Sequence, residues 1–167
     1  MPSSETTTTA APRVTTPIPI EEFEFGESPE ELLITLKKHD MELIANEHHQ
    51  SDGRLLQADY SFWYETEDAS FGYTPEGVHY RTVFFTPRMR TSLGVGVGNT
   101  FDEVVAAHGT DYEEKIFSGL NYIGMPYRNM VVTYFYEDFR LSFRFEDEDI
   151  VTTWNLSTRS MFDSEYS

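Results

Sequence analysis

The chain repeats itself at an offset of 72 residues, and no other feature restricts its fold as much. Identical residues recur at Gly26/Gly98, Glu31/Glu103, Ile44/Ile116, Tyr64/Tyr136, Glu65/Glu137, Ser70/Ser142, Phe71/Phe143 and Glu76/Glu148, with no gap between first and last. Conservative pairs such as Phe25/Val97, Ser28/Thr100, Leu32/Val104, Phe62/Tyr134 and Val78/Ile150 fill the intervals. A period of this size marks one supersecondary unit used twice. A unit of roughly 70 residues buries too little surface to be comfortable alone, so the two copies are expected to share a core. The chain divides accordingly into a Thr/Pro-rich tail (1–20), a first repeat (21–90), a second repeat (91–160) and a short acidic tail (161–167).

Each copy opens with an extended piece, a glycine, a cap and a helix. In the first copy Ser28 is an N-cap, Pro29 occupies the first helical position and Glu31 stands three residues after the cap. Thr100 and Glu103 form the same capping box in the second copy. Leu32, Leu33 and Leu36, or Val104 and Val105, supply the apolar face. The second helix is expected to stop at Gly109, whereas the first has Lys37 at the matching position and can run on through His39.

A polar connector and three strands follow in each copy. Tyr60, Phe62 and Tyr64 alternate with Ser61, Trp63 and Glu65, and Val132, Tyr134 and Tyr136 alternate with Thr133, Phe135 and Glu137. Phe71 and Tyr73 lead through the turn Thr74-Pro75-Glu76-Gly77 into Val78, Tyr80, Thr82 and Phe84. Phe143 and Phe145 lead through Glu146-Asp147-Glu148-Asp149 into Ile150, Thr152, Trp154 and Leu156. Further strands are allowed within 41–57 and 113–129. The expected fold class is α+β: two tandem helix-plus-meander repeats forming one continuous antiparallel sheet, with the helices packed on one face.

Net charge is −17, from 29 acids and 12 bases. Phosphate backbones and anionic membranes would be repelled, so nucleic acid is not expected as a partner, and a basic protein suits the charge. The chain has no cysteine, which excludes disulfides, thiolate metal sites and cysteine nucleophiles. No apolar run approaches the ~20 residues of a membrane span. The opening MPSSETTTTAAPRVTTPIP has the composition of an extended, solvated spacer. It reads as the tether that follows a lipidated cysteine, with Met1 a start added at a truncation. An extracellular or surface-tethered location follows; the alternative is a disordered tail on a cytoplasmic protein.

Neither cofactor nor metal is expected. His48-His49 beside Glu47 and Asp52 could offer ligands, but adjacent histidines on a loop point apart, and the second copy has Leu120 and Asn121 there. Gly94-Val95-Gly96-Val97-Gly98 lacks both the P-loop ending and the spacing of a dinucleotide site. The acidic turn 146–149 lacks the calcium-loop pattern. No serine lies in a nucleophile elbow.

The sheet face turned away from the helices is the expected site. If Tyr60, Phe62, Tyr64, Phe71, Tyr73, Val78 and Tyr80 face the core, the other side carries Ser61, Trp63, His79, Arg81 and Val83 from the first copy. The second copy adds Thr133, Phe135, Arg144, Val151 and Thr153. Trp63, His79, Arg81, Val83, Thr133, Phe135, Arg144 and Thr153 are the candidate partner-binding residues. Trp, Phe and Arg among small polar residues have the composition of a protein-binding hot spot.

The segments Phe25-Gly26-Glu27-Ser28-Pro29-Glu30-Glu31-Leu32-Leu33 and Val97-Gly98-Asn99-Thr100-Phe101-Asp102-Glu103-Val104-Val105, each leading to an aromatic meander, carry a resemblance. The chain resembles the tandem-repeat β-lactamase-inhibitor-protein fold and the related modules of bacterial surface lipoproteins, over residues 21–160. The resemblance implies two helices and a four-stranded sheet per repeat, and an open sheet face that grips another protein. The inhibitor's disulfide in each repeat has no counterpart here.

The expected function is therefore a non-enzymatic, extracytoplasmic binding module that holds a protein or peptide on its open face. Two other classes stand beside it. One is a small ligand-binding protein or hydrolase with a pocket that sets His39, His48 or His108 beside a carboxylate. The other is a structural envelope lipoprotein or an acidic decoy.

Overall fold

A computed structural model of the chain describes residues 28–136, 139–146 and 148–158. The tail 1–20, the first copy's Phe23–Gly26 and the acidic tail 161–167 lie outside these residues. Helix α1 is Pro29–Lys38 and helix α2 is Phe101–His108. Both carry complete capping boxes. Ser28 Oγ accepts from the Glu31 amide at 3.1 Å, and Thr100 Oγ1 accepts from the Glu103 amide at 3.1 Å. Each glutamate carboxylate in turn accepts from the cap amide, so two otherwise orphaned donors are satisfied per helix. Gly109 ends α2 at φ +96, a conformation that glycine adopts without a Cβ clash. His39 ends α1.

Four strands follow each helix. They are β1 (Leu55–Leu56), β2 (Phe62–Glu65), β3 (Ala69–Tyr73) and β4 (His79–Phe84) in the first repeat. In the second they are β5 (Glu113–Leu120), β6 (Pro126–Phe135), β7 (Phe139–Glu146) and β8 (Ile150–Thr158). All eight join one antiparallel sheet in the order β1-β2-β3-β4-β8-β7-β6-β5. The fourth strand of each copy, β1 or β5, lies in the stretches 41–57 and 113–129 where the sequence allows a further strand.

The expected α+β class with helices packed over one face is corrected. The described residues form a sheet-dominated fold in which the helices are short, ten and eight residues, and bury only Leu32, Leu36 and Val104 completely. The rest of the core is supplied mainly by strand aromatics, among them Phe62, Tyr64, Phe71, Tyr73, Phe84, Tyr134, Phe143, Phe145 and Trp154. Residues 113–120, allowed for as a strand within a connector, are a full strand at one edge of the sheet.

The two repeats meet where β4 pairs with β8. Val83 stands opposite Asn155, its own equivalent in the second copy, so a pseudo-dyad passes between them. Beside this axis Phe84 and Trp154 stack at 4.0 Å with 19° between ring planes. Trp154 is fully buried and touches Phe143 as well, so one indole ties the halves together.

A β-bulge interrupts each copy at the same place. Gly72 pairs with Arg81 but Tyr73 pairs with His79, leaving Tyr80 extra. Arg144 pairs with Thr153 but Phe145 pairs with Val151, leaving Thr152 extra. Because side chains alternate with period two, one inserted residue reverses the face of everything beyond it. His79 and Val151, expected on the outer face, are accordingly buried on the core side. Val78, expected inside, is exposed, and Tyr80 packs edge-on against Trp63 at 5.7 Å. Tyr60, also expected inside, lies in a turn at φ +69 and is exposed.

Candidate functional site

The register fixes which side chains share the outer face. One row runs across seven strands: Leu55, Trp63, Gly72, Arg81, Ser157, Arg140 and Phe135. Trp63 and Phe135 are equivalent positions in the two copies, and they stand on β2 and β6, roughly 24 Å apart by strand spacing. A second row, one layer along, is Glu65, Ser70, Val83, Asn155, Ser142, Thr133 and Glu113. Between the aromatics the first row holds Gly72, Arg81, Ser157 and Arg140, and the small residues Ser157, Ser70, Ser142 and the candidate Thr133 are buried beneath their larger neighbours. Thr133 Oγ1 and Ser142 Oγ bond at 3.0 Å, and Ser157 Oγ donates to Asn155 Oδ1 at 3.2 Å.

Trp63 lies against the backbone of β3. A Cβ built on Gly72 would come within 2.8 Å of the indole, so only glycine leaves room for it. The ring is half-buried between Gly72 and Tyr80. Arg81, next in the row, donates from Nε to Ser157 Oγ at 3.4 Å. It makes no ion pair with any carboxylate among the described residues. Arg140, across Ser157, is buried and engaged in contacts of its own. Arg144 lies further along β7 beside Glu146, Nε to Oε2 at 3.5 Å, and opposite Thr153.

Seven of the eight candidate residues, namely Trp63, Arg81, Val83, Thr133, Phe135, Arg144 and Thr153, share this face by register. His79 does not, for the bulge turns it into the core, where it is 3 % exposed. There its Nε2 lies 2.6 Å from Thr82 Oγ1 and its ring 5.5 Å from Tyr73. Burial lowers its pKa to about 4. His108 is held similarly by Thr91 Oγ1 at 2.9 Å, and desolvation lowers it to about 4. Ser61, expected on the outer face, is buried and bonds to Asp59 through its amide and hydroxyl.

The sequence reading missed Gly72, Arg140, Ser157 and Asn155, which form the middle of the face. Nothing local marks them. Gly72 matters only because Trp63 lies over it, and Arg140, Ser157 and Asn155 join the site only through the pairing of β7, β8 and β4.

The other chemical candidates do not converge. His48 and His49 point apart: His49 is buried and bonds Glu65 at 3.0 Å, while His48 stands in solvent near Glu47. Among the described residues no group of three His, Cys, Asp or Glu is placed to hold a metal ion. An open groove of about 410 Å³ is lined by Leu33, Leu36, Lys37, Asp40, Met41, Glu42 and Leu43, and contains none of the histidines. In the glycine run, a Cβ on Gly96 would meet the Met89 carbonyl oxygen at 2.7 Å and the Trp154 indole nitrogen at 3.2 Å, so this glycine serves close packing. Glu146, Glu148 and Asp149 of the acidic turn are exposed, with Asp149 paired to Arg128 at 3.4 Å.

Among the described residues no helix is long and apolar enough to cross a membrane. Comparison of the chain with models of protein families, with curated proteins and with solved structures gives no match.

Proposed function

We propose that this protein is a non-enzymatic binding module that holds an extended protein or peptide segment across its outer sheet face. The observation that carries this is Arg81: a guanidinium without a carboxylate partner among the described residues, in mid-sheet, in one row with Trp63 and Phe135. A guanidinium without a carboxylate partner beside half-buried aromatics is the chemistry of an interface hot spot, since Arg and Trp combine contact area with directional donors. The hydroxyl residues of this face are buried, so an occupant meets Trp63, Arg81 and Phe135, and its carbonyl or carboxylate oxygens accept from the Arg81 guanidinium. The chain carries a net charge of −17, which favours basic residues in the flanks of the bound segment. The resemblance to the tandem-repeat inhibitor fold supports the same mode of grip. The Thr/Pro-rich opening supports an extracytoplasmic, tethered setting.

Selection of a displayed random-peptide library on the immobilised protein tests this. Enriched peptides are expected to lose binding to the Trp63→Ala/Arg81→Ala variant while the fold, followed by far-UV circular dichroism, is retained. Peptides that bind the variant as well as the parent place the binding surface elsewhere. A variant that unfolds makes Trp63 a core residue and removes the basis of the proposal.

A further inference from the structure

The two edges of the sheet are unlike. The β1 edge is two residues long, and the β5 edge is eight. Every residue of β5 is exposed, and none of the described residues pairs with its outer side. Inside the hairpin the Asn121 amide donates to the Met125 carbonyl at 2.8 Å. Antiparallel pairing alternates the direction of backbone groups, so Glu114, Ile116, Ser118 and Leu120 point their N–H and C=O outward from the sheet. An edge of this length, with no proline or bulge inside it, is a template for another strand.

The side chains point to protein as the cover. Residues 116–127 form the longest stretch of this −17 chain without a charged side chain. Ile116, Phe117, Leu120, Tyr122, Ile123 and Met125 are all exposed, Tyr122 at 97 %. Ile116, Phe117 and Leu120 lie on β5 itself, where a strand laid along this edge covers them, while Tyr122, Ile123 and Met125 belong to the turn beyond it.

We infer that β5 pairs with β5 of a second copy of this chain, about a two-fold axis perpendicular to the sheet. Such an axis keeps core face on core face, so residues of equal parity must oppose one another. Centring the axis on Ile116 sets the two Ile116 side chains together, Glu114 opposite Ser118, Lys115 opposite Phe117, and Glu113 opposite Gly119. No two like charges then face each other, whereas centring on Glu114 or Lys115 opposes like charges directly. The pairs through Glu114, Ile116 and Ser118 use the outward backbone groups and close about six hydrogen bonds. The contact is isologous and covers the one long open edge among the described residues, so assembly stops at the dimer. The outer faces of both copies stay open, and their long-range repulsion makes the dimer tighter at higher salt.

Sedimentation equilibrium of the full chain over about 1 to about 100 µM tests this, with a reversible rise toward twice 19.3 kDa expected. Raising NaCl from about 0.05 to about 0.5 M is expected to strengthen the dimer. Ile116→Lys brings two ammonium groups together at the axis and is expected to weaken the dimer at least about tenfold with its circular dichroism unchanged. Ile116→Cys supplies the only thiol and sets two sulfurs across the axis within reach of a disulfide. It is expected to cross-link on mild oxidation much faster than Lys38→Cys on α1. A monomer at every concentration overturns the inference. So does a dimer that Ile116→Lys leaves intact, or equal cross-linking of the two cysteine variants.

Discussion

Acidification will remove stability through His79. The imidazole is 3 % exposed, lies 2.6 Å from Thr82 Oγ1, and has its pKa lowered to about 4 by burial. In the unfolded chain the same group titrates near 6.5. Between these values the unfolded state binds more protons than the folded one, so stability is complete above the unfolded pKa and falls as pH drops toward the folded pKa. From about pH 7.5 to about pH 4.5 the loss from this one group is on the order of 2–3 kcal/mol, a sizeable part of the ~5–15 kcal/mol that holds a domain together. His108 acts in the same direction but is partly exposed, so solvent screening makes its share smaller. Urea unfolding followed by the fluorescence of Trp63 and Trp154, at pH steps across this window, measures the effect. His79→Gln keeps a polar group near Thr82 and cannot take up the proton. The variant is expected to be less stable than the parent at neutral pH, with a shallower decline toward acid, the two declines differing by on the order of 2–3 kcal/mol over the interval. Parallel pH profiles for parent and variant would refute the argument, as would a His79 ring resonance that titrates near 6.5 in the folded protein.

Trp154→Ala empties the largest side chain of the seam between the repeats and is expected to cost about 3–5 kcal/mol in urea unfolding, against little effect from an exposed change such as Val78→Ala. Thr100→Ala removes the α2 cap and is expected to cost about 1 kcal/mol by the same assay. Gly72→Ala drives a Cβ into the Trp63 indole. Its signature is a red-shifted tryptophan emission and loss of the selected peptides with the fold retained, and unchanged emission would show that the ring does not lie on Gly72.

The helix starts were legible because caps are local. Ser28 with Glu31 and Thr100 with Glu103 satisfy amides within one turn, and three residues of sequence specify the geometry. The alternation of Phe62 and Tyr64, Phe71 and Tyr73, and Thr82 and Phe84 was legible too, because one side of each strand packs on the core. His79 was misplaced because a bulge leaves no compositional mark. Val78, Tyr80, Thr82 and Phe84 alternate without a break, and only the pairing of Tyr73 with His79 shows that the phase changes at Tyr80. The sequence allows a strand within 113–129 but not the bounds of β5, because an edge strand exposed on both sides has no burial to imprint a pattern. The helices were overweighted for the opposite reason. Their signals are strong in sequence, yet they are short and bury few residues, while the aromatics of the sheet fill the interior. Within the candidate site, the aromatics announce themselves by type. Gly72 and Ser157 gain meaning only from neighbours that are distant along the chain, as Arg81 is from Ser157 by 76 positions.

The seam between β4 and β8 also sets the order of events during synthesis. Every other strand pair joins neighbours in the chain, so each half can begin to form hairpins on its own. Strand β4 must wait for β8, about 70 residues later, before its second side is covered and Phe84 finds Trp154. At the roughly 5–20 residues per second of translation, the nascent first half carries a bare, aromatic edge for several seconds. During that interval any other extended chain, including β8 of a neighbouring nascent copy, competes for the place of the proper partner. Crowded synthesis on one message therefore favours exchange of second halves between chains, and slower initiation is the condition under which each chain closes on itself.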